Sequence, residues 1–256
     1  AANADKPTKA SHGVGISQIG AMWAAKNGVP YSEILAFYYH GAVIVADYGK
    51  GSTLAFENST LEPEGGHKMN LHKLIFVNNA CYKAGKTITP KGIMVHSTGA
   101  NNPNLKRYVG PDDGLLGKNQ YNNHWNQDKP DGRQVCVHGF IGKLADGSIA
   151  TYQTLPWNYR AWHAGGSAND THIGFEICED DLTDTSYFSA VYKEAIELCV
   201  YLCKQYGLTE KDIICHSEGY KLGIASNHGD VMHWFPKHGK SMDIFRADVK
   251  AGLAAT

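Results

Sequence analysis

The alternation of apolar and polar residues predicts a series of short strands in the second part of the chain. Apolar runs or period-two patterns predict strands at residues 92–95, 135–141, 149–154, 172–178 and 213–215. Asp146-Gly147 lies between the second and third of these and predicts a hairpin turn. The segment 69–81 mixes apolar and polar residues, so we expect it to pack on the edge of the main domain.

Helical periodicity separates these strands. Apolar residues recur at helical spacing in 187–205, which ends before Gly207, and again in 242–253. The segment 120–127 is also predicted to be helical. This order of elements predicts an α/β fold, with a mixed central sheet and helices on both faces.

The first 68 residues have a different pattern. Residues 1–46 contain two short helical stretches, which predict a small helical segment. Residues 47–68 are poor in periodicity and rich in small polar residues, which is typical of a linker. We therefore divide the chain into 1–46, 47–68 and a main domain at 69–256.

Composition narrows the class of protein. The chain has 256 residues, 43% of them hydrophobic, and a net charge of -1. This balance gives no reason to expect binding to nucleic acid. No apolar run approaches the roughly 18 residues of a membrane span, and residues 1–10 lack the apolar core of a signal peptide. Six cysteines without a CxxC pair favour buried free thiols over disulfides or metal ligands.

Two histidines directly follow apolar strands and each precedes a serine. His96 and His216 are therefore placed to meet at one end of the sheet, as two ligands of a metal ion would need to be. The third ligand must come from the loop after His216. Its candidates are Asp230 and His228, which lie two residues apart, and His233 and His238 are less favoured.

Glu176 is a charged residue in an otherwise apolar predicted strand. Alternation places it on the same side as Gly174 and Cys178, where small residues leave room for a substrate. One interpretation is a carboxylate on the polar face of a half-exposed strand. The other is a general base beside a metal-activated water, since a buried carboxylate is costly unless it has such a role or a partner.

The sequence also resembles a known family in four separate stretches. The resemblance lies in Val95-His96-Ser97-Thr98, Ala161-Trp162-His163-Ala164-Gly165, Ile173-Gly174-Phe175-Glu176 and His216-Ser217-Glu218, followed by Asp230. These stretches are similar to the zinc-dependent type 2 N-acetylmuramoyl-L-alanine amidases, which include phage endolysins and share their fold with peptidoglycan recognition proteins. The amino-acid sequences of residues 91–114 and 227–246 are especially similar to those of endolysins from clostridial phages.

The resemblance implies an enzyme that uses one zinc ion to hydrolyse the amide between N-acetylmuramic acid and L-alanine in peptidoglycan. It implies His96, His216 and Asp230 as zinc ligands and Glu176 as the general base. His228 stands where many members have a lysine that stabilises the oxyanion. The substrate-binding residues that it implies are Trp162, His163, Asn102 and Tyr121. The binding partner that this resemblance implies for the protein is peptidoglycan. We expect a monomer that acts at the bacterial cell wall after secretion or after release at lysis.

Residues 12–41 resemble a second family. His12-Gly13-Val14-Gly15-Ile16-Ser17-Gln18 and Tyr38-Tyr39-His40-Gly41 are similar to the closing motif of the sporulation stage II D proteins, which are peptidoglycan lytic transglycosylases. The match covers about thirty residues without that family's catalytic acid. We interpret it as a retained fragment or docking module.

Three alternatives to the amidase remain at this point. One is a peptidoglycan-binding module of the same fold that lacks activity, and another is a zinc peptidase that cuts within the stem peptide. The third is a cysteine nucleophile at Cys215. This is disfavoured, because Cys215 and His216 are adjacent in the chain and would point to opposite faces of a strand.

Overall fold

The computed structural model of the protein describes residues 69–255. The predicted helical segment 1–46, the predicted linker 47–68 and the second resemblance all lie outside the described residues. No helix within 69–255 is long and apolar enough to cross a membrane.

A six-stranded mixed sheet forms the centre of the described domain, as predicted. Its strands are β1 (Leu71–Lys73), β2 (Gly92–Asn101), β3 (Gly139–Lys143), β4 (Ile149–Gln153), β5 (His172–Glu179) and β6 (Ile213–Cys215). The spatial order is β1-β4-β3-β5-β2-β6. Only β3 and β4 pair antiparallel, through the predicted Asp146-Gly147 turn, and the other four pairs are parallel.

The helices are α1 (Ala80–Ala84), α2 (Thr185–Tyr206), α3 (His216–Lys221) and α4 (Met242–Ala254). Helix α2 begins where the Asp184 side chain accepts a hydrogen bond from the Tyr187 amide. It ends at Gly207, whose φ of 66° is left-handed, as the sequence predicted. Short 3-10 turns occupy Leu105–Arg107, Pro130–Gly132, Ser167–Asp170, Glu210–Asp212 and Phe235–His238.

The two faces of the sheet are covered differently. On one face, Val95, Phe175 and Ile177 pack against the apolar sides of α2 and α4. The opposite face packs partly against irregular chain, where Phe140 contacts Tyr108 and Trp125, and partly against α3. Burying an aromatic or branched side chain contributes about 1.5–3 kcal/mol. This burial fixes which residues of β2 and β5 face the helices, and so which ones face the site.

Two predicted elements differ in the structure. Strand β2 does not end at His96 but continues to Asn101, so His96 lies within a strand. The predicted helix at 120–127 is wrong, because this segment forms turns. Its amide side chains bond to nearby backbone, for example Gln127 Nε2 to the carbonyls of Asn122 and His124, and this competes with helix formation.

The expectation of free thiols is wrong for two of the six cysteines. Cys81 and Cys136 form a disulfide, with their Cα atoms 6.5 Å apart and a sequence separation of 55. Spacing in sequence does not reveal this pair, because only the fold brings α1 next to the segment that leads into β3. The remaining cysteines are buried free thiols, as expected: Cys178, Cys199, Cys203 and Cys215.

We predict that the Cys81→Ser, Cys136→Ser double variant is less stable than the wild type by about 2–4 kcal/mol, since a long loop loses its covalent closure in the unfolded chain. Urea unfolding with and without reductant measures this. Reductant should lower the wild-type midpoint and leave that of the double variant unchanged. A wild-type midpoint that does not respond to reductant would contradict the prediction.

Candidate active site

Strand β2 lies between β5 and β6 and brings the predicted residues together. His96 is directly opposite Glu176 on β5, and Val95 is opposite Cys215 on β6. The chain leaves β6 one residue later, so His216 is the first residue of α3 and stands beside His96. The rings of the two histidines lie 4.9 Å apart. Parallel pairing of three strands therefore places two imidazoles and one carboxylate in one area.

Asp230 reaches the same area from the loop after α3. The amide of Ser217 donates to the backbone carbonyl of Asp230 at 3.2 Å, which ties this loop to the start of α3. The next residue, Val231, and the nearby Trp234 are fully buried in the core beneath the sheet. These anchors hold the Asp230 carboxylate over β2.

Three potential ligand atoms form a compact triangle. His96 Nδ1 is 3.1 Å from His216 Nδ1 and 3.1 Å from Asp230 Oδ2, and the third side is 3.7 Å. A tetrahedral ion with ligand distances of roughly 2.0–2.1 Å separates its ligand atoms by about 3.3 Å. The triangle matches that spacing, so these three residues could hold a metal ion.

A chain of histidines assigns the tautomer of His96. The backbone carbonyl of His172 can only accept, so His163 Nε2–H donates to it at 3.2 Å. His163 Nδ1 then accepts from His96 Nε2–H at 2.8 Å. The proton of His96 therefore lies on Nε2, and the lone pair on Nδ1 points into the triangle.

His216 is oriented in the same way by a different partner. Its Nε2 is 3.3 Å from the hydroxyl of Ser226, which in turn donates to the carbonyl of Ala164 at 3.2 Å. With Nε2–H donating to the hydroxyl, Nδ1 of His216 keeps a free lone pair. Burial and the neighbouring His96 lower the pKa of His216 to about 4, so the ring is neutral at pH 7.

Asp230 supplies the negative charge of the triangle. Burial acts to raise its pKa, but the adjacent rings of His96 and His216 hold the pKa below the ordinary value. Two neutral imidazole lone pairs and a carboxylate thus face one another at about 3 Å. This arrangement is repulsive without a positive charge among the three atoms, so the residues present fit a divalent cation.

Glu176 lies next to this triangle, and the pKa of its carboxyl group is shifted upwards. Its side chain is half-buried, and Oε2 is buried without a hydrogen-bond partner among the described residues. Burial raises the pKa of Glu176 well above its ordinary value, and repulsion from Asp230 and Glu179 raises it further. Its strand neighbours Phe175 and Ile177 lie on the opposite side from Glu176, as alternation predicted, and they pack against the helices. A carboxylate that holds a proton readily is suited to general acid-base work.

A cavity of about 620 Å³ opens over these residues, within the usual range for small-ligand sites. Among the residues predicted to bind substrate, Trp162 and His163 line it. His228 also lines it and packs against the ring of His216 at 4.7 Å. Within the described chain no nitrogen of His228 belongs to the ligand triangle. Of the two candidates for the third ligand, the geometry therefore favours Asp230 over His228.

The other two predicted substrate residues lie elsewhere. Asn102 and Tyr121 line a second cavity of about 240 Å³, not the first. The chemical roles predicted for all of these residues stay predictions, since geometry alone does not assign them.

Several residues of the site had no signal in the sequence. Ser226, which orients His216, lies in an irregular loop. Arg133 lines the first cavity and lies in the irregular segment between β2 and β3. Glu179 is buried and accepts from His233 Nε2 at 2.9 Å and from the amide of Gly99. Only tertiary contacts reveal these partners.

A family model described as "N-acetylmuramoyl-L-alanine amidase" matches residues 86–230, which is more than half of the chain and includes every residue of the triangle. The chain belongs to this amidase family. The amidase hydrolyses the bond between N-acetylmuramic acid and L-alanine in peptidoglycan, so the enzyme is favoured over a binding module without activity. Cys215 of this amidase is buried in the core on the helix face, which also excludes it as a nucleophile open to the cavity.

Solved structures similar to the amidase share its fold. PlyL is 19% identical with a TM-score of 0.51, over 72% of this chain and 98% of its own. The Staphylococcus aureus hydrolase AmiA in complex with its ligand is 19% identical with a TM-score of 0.51, over 73% and 83%. The PlyG catalytic domain is 21% identical with a TM-score of 0.50, over 73% and 98%. A comparison with curated proteins finds no match.

We predict that His163→Phe weakens the binding of a divalent ion by about 10–100-fold, because it removes the acceptor that holds the proton of His96 on Nε2. Competition with a chromogenic chelator measures this affinity directly, without any need for turnover. The matched control is His72→Phe, since His72 lies in β1 at the far edge of the sheet. Equal affinities for wild type and His163→Phe would refute the assignment of the tautomer.

Proposed function

We propose that the amidase depends on one zinc ion held by His96, His216 and Asp230. Two neutral imidazole nitrogens and one carboxylate are a common ligand set for zinc in hydrolases. The spacing of the three ligand atoms supports this choice. The hydrogen bonds made by Nε2 of His96 and of His216 also support it, because they orient both rings. The chemistry that a bound zinc ion supplies is Lewis acidity, which polarises the scissile carbonyl and makes water nucleophilic near neutral pH.

In this proposal Glu176 is the general base. It lies directly opposite His96 on the neighbouring strand, and its raised pKa lets it hold a proton during the reaction. Glu176 accepts a proton from the attacking water as the oxygen bonds to the carbonyl carbon. It then gives that proton to the leaving nitrogen when the carbon–nitrogen bond breaks. The products are the lactyl carboxylate of the glycan and the free amino terminus of L-alanine.

His228 is proposed to stabilise the carbonyl oxygen as negative charge develops on it. The ring is exposed on the cavity wall and packs on His216, so an N–H can reach a substrate bound over the triangle. A donor fixed at this place stabilises the transition state more than the ground state. The proposal follows the resemblance, in which many members have a lysine at this position.

Trp162 and His163 are proposed to form one wall of the substrate groove. Trp162 is 42% exposed, and the guanidinium of Arg160 lies 5.2 Å from its ring centroid. This contact orients the indole, which then offers a flat apolar surface to the sugar or the lactyl group. His163 contributes mainly through His96, as its hydrogen bonds indicate.

The observation that carries the zinc proposal is the triangle of His96, His216 and Asp230 beside an unpartnered Glu176 carboxylate oxygen. Mass analysis of the fragments released from purified cell walls tests the scissile bond. Free L-alanine amino termini with intact stem peptides are expected. Cleavage within the stem peptide would instead identify a zinc peptidase.

We further propose that the amidase is endolysin-like, acts on the cell wall after secretion or release at lysis, and works as a monomer. The described residues of one chain supply every group in the proposed mechanism, which supports the last point. Sedimentation of the purified full chain tests it.

We predict that Glu176→Gln lowers kcat by about 10²–10⁴-fold, because the amide cannot accept the proton of water. Zinc content by metal analysis should stay near one ion per chain, since Glu176 is not a ligand. Glu197→Gln in α2 is the matched control and should keep full activity. Wild-type kcat in Glu176→Gln would end the assignment of the base.

We predict that His228→Ala lowers kcat by about 10²-fold through loss of an oxyanion donor, with little change in KM. His228→Lys should recover most of the lost activity, since an ammonium group can donate at the same place. Steady-state kinetics on a soluble muramoyl peptide measures both variants. Unchanged kcat in His228→Ala, or no recovery with lysine, would remove His228 from the mechanism.

A further inference from the structure

The second cavity has a distinctive lining. It lies between the end of β2 and the segment around residues 118–123, and its volume is about 240 Å³. Lys106, Arg107 and Lys118 line it, and all its other lining residues are neutral. The whole chain has a net charge of -1, so this concentration of positive charge is local.

Two of the three cations have no acidic partner among the described residues. Arg107 contacts the carboxylate of Asp131 at 3.3 Å. Neither Lys106 nor Lys118 forms an ion pair with a carboxylate in the part of the chain that the structure describes. Two ammonium groups without a carboxylate partner give the cavity a local positive potential. It favours an anionic ligand that comes from outside the protein.

The walls of this cavity are held by hydrogen bonds between side-chain amides and backbone. Asn119 Nδ2 donates to the carbonyl of Lys106 at 2.8 Å and to Asn123 Oδ1 at 2.9 Å. Asn102 Oδ1 accepts from both the backbone and the side chain of Asn104 at 3.2 Å. A wall ordered in this way loses little conformational entropy when a ligand binds.

An exposed aromatic ring completes the cavity. Tyr121 is 76% exposed and stands among Asn102, Asn119 and Asn123. Aromatic rings offer an apolar surface with a polar tip, and the amides beside it both donate and accept hydrogen bonds. Together they suit a ligand that carries amide groups or sugar rings in addition to its negative charge.

The cavity is close to the proposed active site along one strand. Ser97, Thr98 and Gly99 of β2 line the first cavity, and Asn102 lines the second. Three residues of extended chain span about 10 Å at most. A polymeric substrate bound over His96 is therefore long enough to reach the second cavity.

We propose that this second cavity is a subsite for a carboxylate-bearing part of the same peptidoglycan molecule. The proposal rests on the proposed function, because that substrate supplies both carboxylates and the amide-bearing units around them. Two parts of peptidoglycan have this chemistry. One is the stem peptide, and the other is a lactyl group freed on the glycan by an earlier turnover.

Two soluble probes separate these sources. The first is a peptide-free glycan of alternating N-acetylglucosamine and N-acetylmuramic acid, and the second is the free stem peptide. Neither contains the scissile amide, so calorimetry with the full-length wild type measures binding without turnover. The double variant Lys106→Gln, Lys118→Gln should bind at least one probe about tenfold more weakly, as expected for two exposed charge pairs.

The matched control is Lys193→Gln, Lys204→Gln. These two lysines are exposed on α2, line neither cavity and give the same change in net charge. The control should bind both probes like the wild type. The variant Lys106→Arg, Lys118→Arg should retain binding, and Tyr121→Ala should weaken it in the same direction as the glutamine variant. Circular dichroism checks that each variant is folded.

The pattern of losses assigns the ligand. Weaker binding of the glycan alone assigns the freed lactyl carboxylate, and weaker binding of the stem peptide alone assigns the peptide. Unchanged binding of both probes in the glutamine variant overturns the subsite, and so does an equal loss in the control. A wild type that binds neither probe also overturns it. Failure to release L-alanine termini from cell walls would refute the proposed function separately, since probe binding does not depend on turnover.

Discussion

Parallel pairing of β2 with both β5 and β6 is the constraint on which the site depends. It fixes His96 opposite Glu176 and brings Cys215, and hence His216, alongside β2. Alternation along each strand then turns Val95 and Phe175 towards the helices and turns His96 and Glu176 away from them. A shift of one residue in either pair would move a required side chain into the apolar core. The apolar packing under the sheet therefore protects the geometry of the polar face above it.

The polar face is held by hydrogen bonds from a second layer of residues. His163 and Ser226 each accept a hydrogen bond from the Nε2–H of one imidazole, which leaves the lone pair on Nδ1 free. The carbonyl oxygens of His172 and Ala164 end these two chains. Because the chains end on fixed backbone acceptors, neither ring can turn without the loss of a buried hydrogen bond. The two rings are thus held with their Nδ1 lone pairs towards the triangle, which limits the entropic cost of binding an ion.

Much of the fold could be predicted from the sequence, for physical reasons that particular residues illustrate. The apolar stripe of α2 and the glycine at its end are local signals, and so is the Asp146-Gly147 turn. Alternation around Glu176 identified its face correctly. The turns at 120–127 and the Cys81–Cys136 disulfide were not predictable. Local side-chain bonds override periodicity in the first case, and pairing across 55 positions depends on tertiary contacts in the second.

The site shows the same division between local and distant signals. His96 and His216 could be proposed because each directly follows an apolar run in the sequence, and the resemblance supplied their grouping with Asp230. Ser226 and the Glu179–His233 contact carried no such signal, since they depend on loops whose path only the fold decides. Asn102 and Tyr121 were selected as substrate residues, but the structure places them at a separate cavity. The irregular segment from Asn102 to His138 links this cavity to Arg133 at the first. The disulfide at Cys136 fixes one end of this segment and β2 fixes the other. The same anchored segment therefore contributes residues to both cavities.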